Sequence, residues 1–364
     1  MTRGSQMSRY HNRRLGVPWP TREPLPMPIV LKPIAAQRIV ITGASSGIGL
    51  AIAEAAAAAG ARLMLSARNE AALRDIADRL ALDGADVAIF AADMADEDAA
   101  ERIATATTER FGGFDTWINN AAAGTFGTVS ETPIADQRRV FDVGYWGTVA
   151  GSLAAARRLR QTGGAIINIG SVLGDRTMIQ QGPYSAMKHA VKGFTDALRT
   201  ELMEADAPVS VTLIKPSAMH TPFPQHARNF MDAPARLPPV LYDPRLVARA
   251  VLFAAQHPRR AITVGSFGEG AAWGDMLAPG LLDRAMATFG TGAQQTDQAP
   301  PPETADNLWE SRSDGAIESN QPQSVRRTSL WLEAQLRPVA AGLIAAGLVA
   351  LPIVVSKARQ RQSR

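Results

Sequence analysis

Eight residues, Thr42-Gly-Ala-Ser-Ser-Gly-Ile-Gly49, constrain this chain more than any others. They follow the apolar, β-branched run Arg38-Ile-Val-Ile41, which reads as a buried strand. They precede an alanine-rich run over 50–59, closed by Gly60, which reads as a helix. The glycines therefore sit on a strand-to-helix turn. Glycine there permits a tight turn, close approach of backbone to a pyrophosphate, and close packing of helix on strand. The start of the helix adds free N–H groups and the positive end of its dipole. The spacing is GxxxGxG rather than the GxGxxG of the general dinucleotide fingerprint. A turn of this kind also fits a tight bend without a ligand, so the rest of the chain has to decide.

That remainder alternates. Strand-like runs at 62–67, 86–91, 114–118, 165–170, 209–214 and 261–264 are separated by helical stretches at 70–82, 96–111, 131–160, 184–204 and 244–256. Strict alternation predicts a parallel sheet with helices on both faces, a doubly wound α/β fold. Strands buried on both sides account for the near-continuous apolar runs. With 46% apolar residues, the chain can fill such a core.

Composition excludes several chemistries. With no cysteine there is no disulfide, thiolate metal site or cysteine nucleophile. The five histidines stand singly, so no metal is expected. The net charge of +4 gathers mainly at the two ends, which argues against nucleic-acid binding by the core.

The end of the second strand carries Arg68, with no acid at Ser66 or Ala67. An acid here would bind the ribose 2′-OH of NAD, whereas arginine can pair with the 2′-phosphate of NADP. NADP(H) is therefore the expected cofactor, with NAD(H) the alternative. Arg68 also reads as an exposed helix-capping residue, and Asn69 as the cap of the next helix.

Ser171, Tyr184 and Lys188 form a second constellation. Ser171 ends a strand, and Tyr184 and Lys188 lie four apart on one helix face. Open α/β sheets hold ligands at the carboxyl ends of their strands. A nearby ammonium lowers a tyrosine's pKa and suits Tyr184 to general acid/base work near neutrality. A serine hydroxyl can hold the oxygen on which charge changes. YxxxK alone is common, and its weight comes from its place after Ser171 in a glycine-turn sheet.

With these residues in view, the chain resembles a classical short-chain dehydrogenase/reductase over 37–267. The matching pieces are 42–49 for TGxxxGxG, Asp93, Asn119-Asn-Ala-Ala122 for NNAG, Ser171, Tyr184-xxx-Lys188, and Pro216 to Thr221 for PGxxxT. It is more closely similar to bacterial members of unassigned substrate with a C-terminal extension, through Asp175-Arg176 and His189-Ala-Val-Lys-Gly-Phe-Thr195. The resemblance implies a Rossmann sheet of seven parallel strands in order 3-2-1-4-5-6-7. It implies a dimer or tetramer built on the two long helices. It implies that Tyr184 moves the proton at the substrate oxygen, and that Lys188 also binds the nicotinamide ribose and Thr221 the carboxamide. With Arg68, the implied cofactor residues are Thr42, Gly43, Ser45, Ser46, Gly47, Ile48, Gly49, Asp93, Met94, Asn119, Ala121, Tyr184, Lys188, Pro216 and Thr221.

Three positions depart from the family pattern. Ala122 ends NNAG, and Ser217 follows Pro216. More consequentially, Gly144 stands where the family has a catalytic asparagine, in Val143-Gly-Tyr-Trp-Gly147. That asparagine anchors a water joining the lysine to solvent, and a water in the glycine's empty space is expected to replace it. The expected function is NADP(H)-dependent interconversion of a carbonyl and an alcohol. The competing reading, supported by Gly144, is a cofactor-binding sensor or scaffold without turnover.

The domain expectations are a basic, proline-rich disordered arm at 1–34, a catalytic domain at 35–267, short helices at 268–290 and a polar linker at 291–337. After these come an apolar segment at 338–356 and a basic tail at 357–364. A lid at 221–239, with Phe223, Phe230 and Met231, suggests a bulky apolar substrate. The uncharged run at 339–355 is a candidate membrane helix at the short edge of spanning length, attached to a cytoplasmic catalytic domain. A core helix is the alternative.

Overall fold

A computed structural model describes residues 29–298, 305–312 and 315–342. Seven parallel strands form one sheet: β1 (Arg38–Thr42), β2 (Arg62–Ala67), β3 (Val87–Ala91), β4 (Thr116–Asn119), β5 (Gly164–Ile169), β6 (Val209–Pro216) and β7 (Ala261–Val264). Their order is 3-2-1-4-5-6-7, as the sequence led us to expect. The order reverses between β1 and β4, which pair directly, Ile39 opposite Thr116 and Ile41 opposite Ile118. The crevice beyond their carboxyl ends is the topological switch point, where such sheets hold ligands.

Side chains alternate across the sheet with period two, and each face acquires its own core. Ile39, Ile41, Leu63, Leu65, Ile118 and Ile167 pack on one side. They meet α1 (Gly47–Ala58) and α8 (Arg245–Ala254), which bring Leu50, Ile52, Val247 and Val251. Val40, Met64, Trp117 and Ile166 pack on the other. There α3 (Ala99–Phe111) and α5 (Gly147–Thr162) supply Ile103, Ala104, Ala155 and Leu159. The other helices of the sheet domain are α2 (Glu70–Leu82), α4 (Ile134–Phe141), α6 (Gly182–Glu204) and the single turn α7 (Phe223–His226).

The stretch 131–160, expected as one helix, is broken. Between α4 and α5 the chain widens into a π-helical turn, Asp142–Trp146, centred on Gly144. Glycine is a poor helix former, so the break is cheap there. The glycines that follow pack tightly. A Cβ on Gly147 would come within 2.9 Å of the Met94 carbonyl oxygen, and one on Gly151 within 2.1 Å of Asn119 Oδ1.

Beyond β7 the chain forms α9 (Ser266–Leu277) and α10 (Pro279–Phe289). The polar stretch that follows corrects the linker reading: its described residues fold onto the domain. Leu308 and Leu332 are fully buried. Val325–Arg326 pairs in parallel with Leu241–Tyr242, and 330–336 forms α11 (Leu330–Leu336). The Gln335 side chain accepts from Thr263 N–H at 2.9 Å and donates to Thr263 C=O at 2.8 Å. This covers the open edge of β7, which would otherwise offer unpaired backbone groups. The stretch has few apolar residues, but Leu308, Ile317 and Leu332 are buried and hydrogen bonds to the domain hold much of the rest, so composition misleads. The arm up to residue 28 and the apolar run from 343 onward lie outside the described residues. Among the described residues no helix is long and apolar enough to cross a membrane.

Candidate active site

Thr42 fastens the glycine turn to the end of β4. Its Oγ1 donates to the Ile118 carbonyl (3.3 Å) and accepts the N–H groups of Asn120 (3.1 Å) and Ala121 (3.2 Å). The Asn120 amide then donates to the carbonyls of Thr42 (3.1 Å) and Gly43 (3.0 Å). Gly43 and Gly47 have φ of +66° and +54°, the left-handed region that glycine tolerates. A Cβ on Gly49 would lie 2.0 Å from the Gly43 carbonyl oxygen. At the start of α1, Gly47 N–H donates to Ala316 C=O (2.9 Å) and Leu50 N–H to Ser46 C=O (3.2 Å). The N–H groups of Ile48 and Gly49 find no backbone acceptor among the described residues.

This turn borders a cavity of about 560 Å³ that runs from Arg68 to Tyr184. Of the sequence-derived residues, Gly43, Ser45, Ser46, Gly47, Ile48, Arg68, Asp93, Met94, Ala121, Ser171, Tyr184, Lys188, Pro216 and Thr221 all line it. Thr42 and Gly49 stand just behind the wall. Asn119 is a correction: its side chain turns into the sheet. It accepts from Trp117 Nε1 (2.7 Å) and donates to Ser152 Oγ (2.9 Å) and Asn168 Oδ1 (2.8 Å). Strand alternation places Asn119 inward and gives the cavity to Asn120.

Asp93 accepts Ala95 N–H at 3.0 Å and pairs with Arg139. Arg68 makes no such ion pair among the described residues. Its Nη1 donates to the carbonyls of Leu308 (3.4 Å) and Trp309 (3.0 Å). Its Nη2 donates to those of Asn307 and Glu310. Four neutral carbonyls solvate the half-buried guanidinium without neutralising it.

At the far end, Ser171 leaves β5 and accepts Leu173 N–H at 3.0 Å. Tyr184 and Lys188 stand in the opening turns of α6. Lys188 Nζ donates to the Ile169 carbonyl (2.8 Å) and lies 5.5 Å from the centre of the Tyr184 ring. Phe223 of α7 covers that ring, with centroids 5.1 Å apart. Burial dominates the ionisation of the pair. It pushes the Tyr184 phenol well above its ordinary value, against the opposing effect of its Ser171 hydrogen bond. It pushes the Lys188 ammonium down to about 8. The expectation that Lys188 lowers the tyrosine's pKa is thus corrected: burial shifts both groups toward their neutral forms, although Lys188 stays charged below about pH 8.

The space beside Gly144 needs correction too. Met187, fully buried, reaches into it, so the pocket expected for a water holds a thioether.

The sequence reading missed two parts of the wall. Leu282, Ala285, Met286 and Phe289 of α10 line the cavity near the Tyr184 end. Their i, i+3, i+4, i+7 spacing was the available signal. Asn307, Ser311, Arg312 and Gly315 line it near Arg68, and no local pattern marks them. In the expected lid, Phe223 and Leu237 line the cavity, whereas Phe230 and Met231 do not. Among the described residues no cluster of three His, Cys, Asp or Glu could hold a metal.

Residues 37–232 match a family model described as short chain dehydrogenase. An uncharacterized oxidoreductase of Bacillus subtilis, YxnA, is 40% identical over 323 residues, 88% of this chain and 91% of that protein. Among solved structures, a short-chain dehydrogenase/reductase from Burkholderia phymatum in complex with NAD superposes with a TM-score of 0.59 and 25% identity. It covers 74% of this chain and 100% of that one. An alcohol dehydrogenase from the archaeon Thermococcus sibiricus, complexed with 5-hydroxy-NADP, gives 0.56 and 26%, covering 63% and 95%.

Proposed function

This chain belongs to the short-chain dehydrogenases, a family of oxidoreductases, and we propose that it interconverts a carbonyl and an alcohol with NADP(H), Tyr184 moving the proton. The observation that carries the reading is the convergence of Ser171, Tyr184 and Lys188 on the cavity that the glycine turn borders. The residues fit a dinucleotide. The turn has no room for a Cβ at Gly43 or Gly49, and the N–H groups of Ile48 and Gly49 are available to a pyrophosphate. A bound nicotinamide would supply or accept the hydride at its C4.

The chain's own groups do the remainder. Tyr184, held neutral by burial, donates its proton to the substrate oxygen in reduction and recovers it from solvent. Ser171 holds that oxygen as its charge changes. Lys188, beside the ring, stabilises the phenolate while it lasts. At the other end Arg68 offers to a 2′-phosphate a half-buried positive charge with no ion pair among the described residues, which supports NADP(H) over NAD(H). Leu237, Leu282, Met286 and Phe289 give the substrate end an apolar wall, which suits a bulky apolar carbonyl compound. Exposed Trp146, at the end of the π-helical turn, and Leu153 on α5 suit the packing of a second copy there.

The test is NADPH oxidation across a panel of aldehydes, ketones, steroids and acyl-chain carbonyls. Turnover of one apolar class, lost in Tyr184→Phe while cofactor still binds, is the expected result. Tight cofactor binding with no turnover of any member would favour the sensor reading instead.

A further inference from the structure

The Arg68 end of the cavity is closed by residues outside the segment that matches the family model. Residues 305–312 and 315–317 pass over Arg68, Asn69 and the glycine turn as a strap, and contacts on both sides hold it. Asn69 Nδ2 donates to the Arg312 carbonyl (3.1 Å), and Gly47 N–H to the Ala316 carbonyl (2.9 Å). On the outer side Trp309 Nε1 donates to Asp136 Oδ1 (2.7 Å) and Arg139 Nε to the Leu308 carbonyl (3.0 Å). Asp306 pairs with Arg228 at 2.8 Å. Leu308 is the buried plug, packed in one cluster with Val143 and Met187. These anchors fix the strap to α4 and to the chain before β7.

The strap shares one continuous cavity with the dinucleotide residues: Asn307, Ser311, Arg312 and Gly315 face the same space as Arg68 and Ser45. Arg68 brings to that space a guanidinium with no carboxylate partner among the described residues. Asp93 and Asp306 lie near enough to act on this charge without bonding it, yet burial still outweighs them, so a directly bonded anionic ligand would relieve a real cost. We propose that Asn307, Ser311, Arg312 and Gly315 form the outer wall of the subsite for the adenosine 2′-phosphate half of the cofactor, with Ser311 and Arg312 as its polar contacts. The catalytic domain as the family model delimits it would then hold only the inner wall. This rests on the dinucleotide reading above and extends it to the C-terminal region.

Two fragments of the cofactor separate the ends of the site. The full chain is titrated with 2′-phospho-ADP-ribose, which carries the adenosine 2′-phosphate but no nicotinamide, and with nicotinamide mononucleotide, which lacks the adenosine 2′-phosphate. Hydrogen exchange over 305–317 is followed in parallel. The expected result is that 2′-phospho-ADP-ribose slows exchange in the strap and nicotinamide mononucleotide does not. Arg312→Ala should weaken the first probe about tenfold and leave the second within about twofold. Because Arg312 also donates to the carbonyls of Gln225 and Ala305, Ser311→Trp serves as a second variant that keeps those anchors and fills the wall instead. It should block the first probe alone. If the chain binds 2′-phospho-ADP-ribose, yet neither variant weakens it and the strap is not protected, this inference is overturned and the dinucleotide reading stands. If the chain binds neither probe nor NADPH, both are overturned.

Discussion

A Cβ on Gly144 would lie 2.6 Å from Met187 Cε and 2.7 Å from Met187 Sδ, so glycine and methionine here form a complementary pair. Met187 immediately precedes Lys188 on α6, and Gly144 lies in the π-helical turn facing it. The asparagine of related enzymes is therefore absent together with the room for it. Any path carrying protons to Lys188 has to avoid this spot.

Restoring the asparagine alone should thus fail. Gly144→Asn overpacks the site and is expected to cost about 1–3 kcal/mol of stability, softened by the flexibility of the methionine. Gly144→Asn with Met187→Ala should recover that loss and turn over faster than the single variant. Thermal melts and single-turnover rates on the four members of the cycle measure both effects. A single variant as stable as the parent would show that Met187 simply swings away.

Tyr184→Phe should lower turnover by at least ~10²-fold with NADPH affinity unchanged, because only the exchangeable proton is lost. The raised phenol pKa also sets a direction. Carbonyl reduction needs the protonated form and should run well at neutral pH, while alcohol oxidation should keep climbing into the strongly alkaline range. Paired pH profiles of the two directions check this, and matching profiles would remove Tyr184 as the titrating acid/base.

Lys188 is held at a cost to stability. Its pKa falls from 10.5 to about 8 on folding, which corresponds to about 3 kcal/mol. The penalty is present in full below pH 8, where the buried group is charged. It lifts as pH rises toward 10.5, since the unfolded chain then binds the proton that the native state has released. Lys188→Met should accordingly raise the melting temperature at pH 7 and lose that advantage by about pH 10.5, while activity disappears. The lost hydrogen bond to Ile169 C=O offsets the gain by about 1 kcal/mol. Melts at pH 7 and 10.5 would refute the argument if the variant were less stable at both.

Arg68→Gln should weaken NADPH binding by about 10–100-fold, the worth of a charge-assisted bond of ~1.5–3 kcal/mol. NADH, lacking the 2′-phosphate, should change by less than about threefold. Because Arg68 also holds the carbonyls of residues 307–310, equal losses for both cofactors would mean that it acts only as an anchor for the strap. Calorimetric titration with each cofactor separates the two.

Much of the molecule was legible in the residues themselves. Turn chemistry at Gly43 and Gly47, period-two burial of Ile39 to Ile41, and the four-residue spacing of Tyr184 and Lys188 are properties of near neighbours. Backbone sterics and side-chain periodicity translate such neighbours directly into local structure. The sheet order followed from the same alternation together with the family resemblance. Only tertiary packing decided that Ser152 and Asn168 are the groups that receive the Asn119 amide, and that Met187 fills the space at Gly144. It also decided that a polar stretch 241 residues along the chain from Arg68 folds back to cap its guanidinium. Such contacts join segments with no shared pattern. They form because a buried donor must find an acceptor, and a gap a side chain, wherever the closed fold brings one within reach.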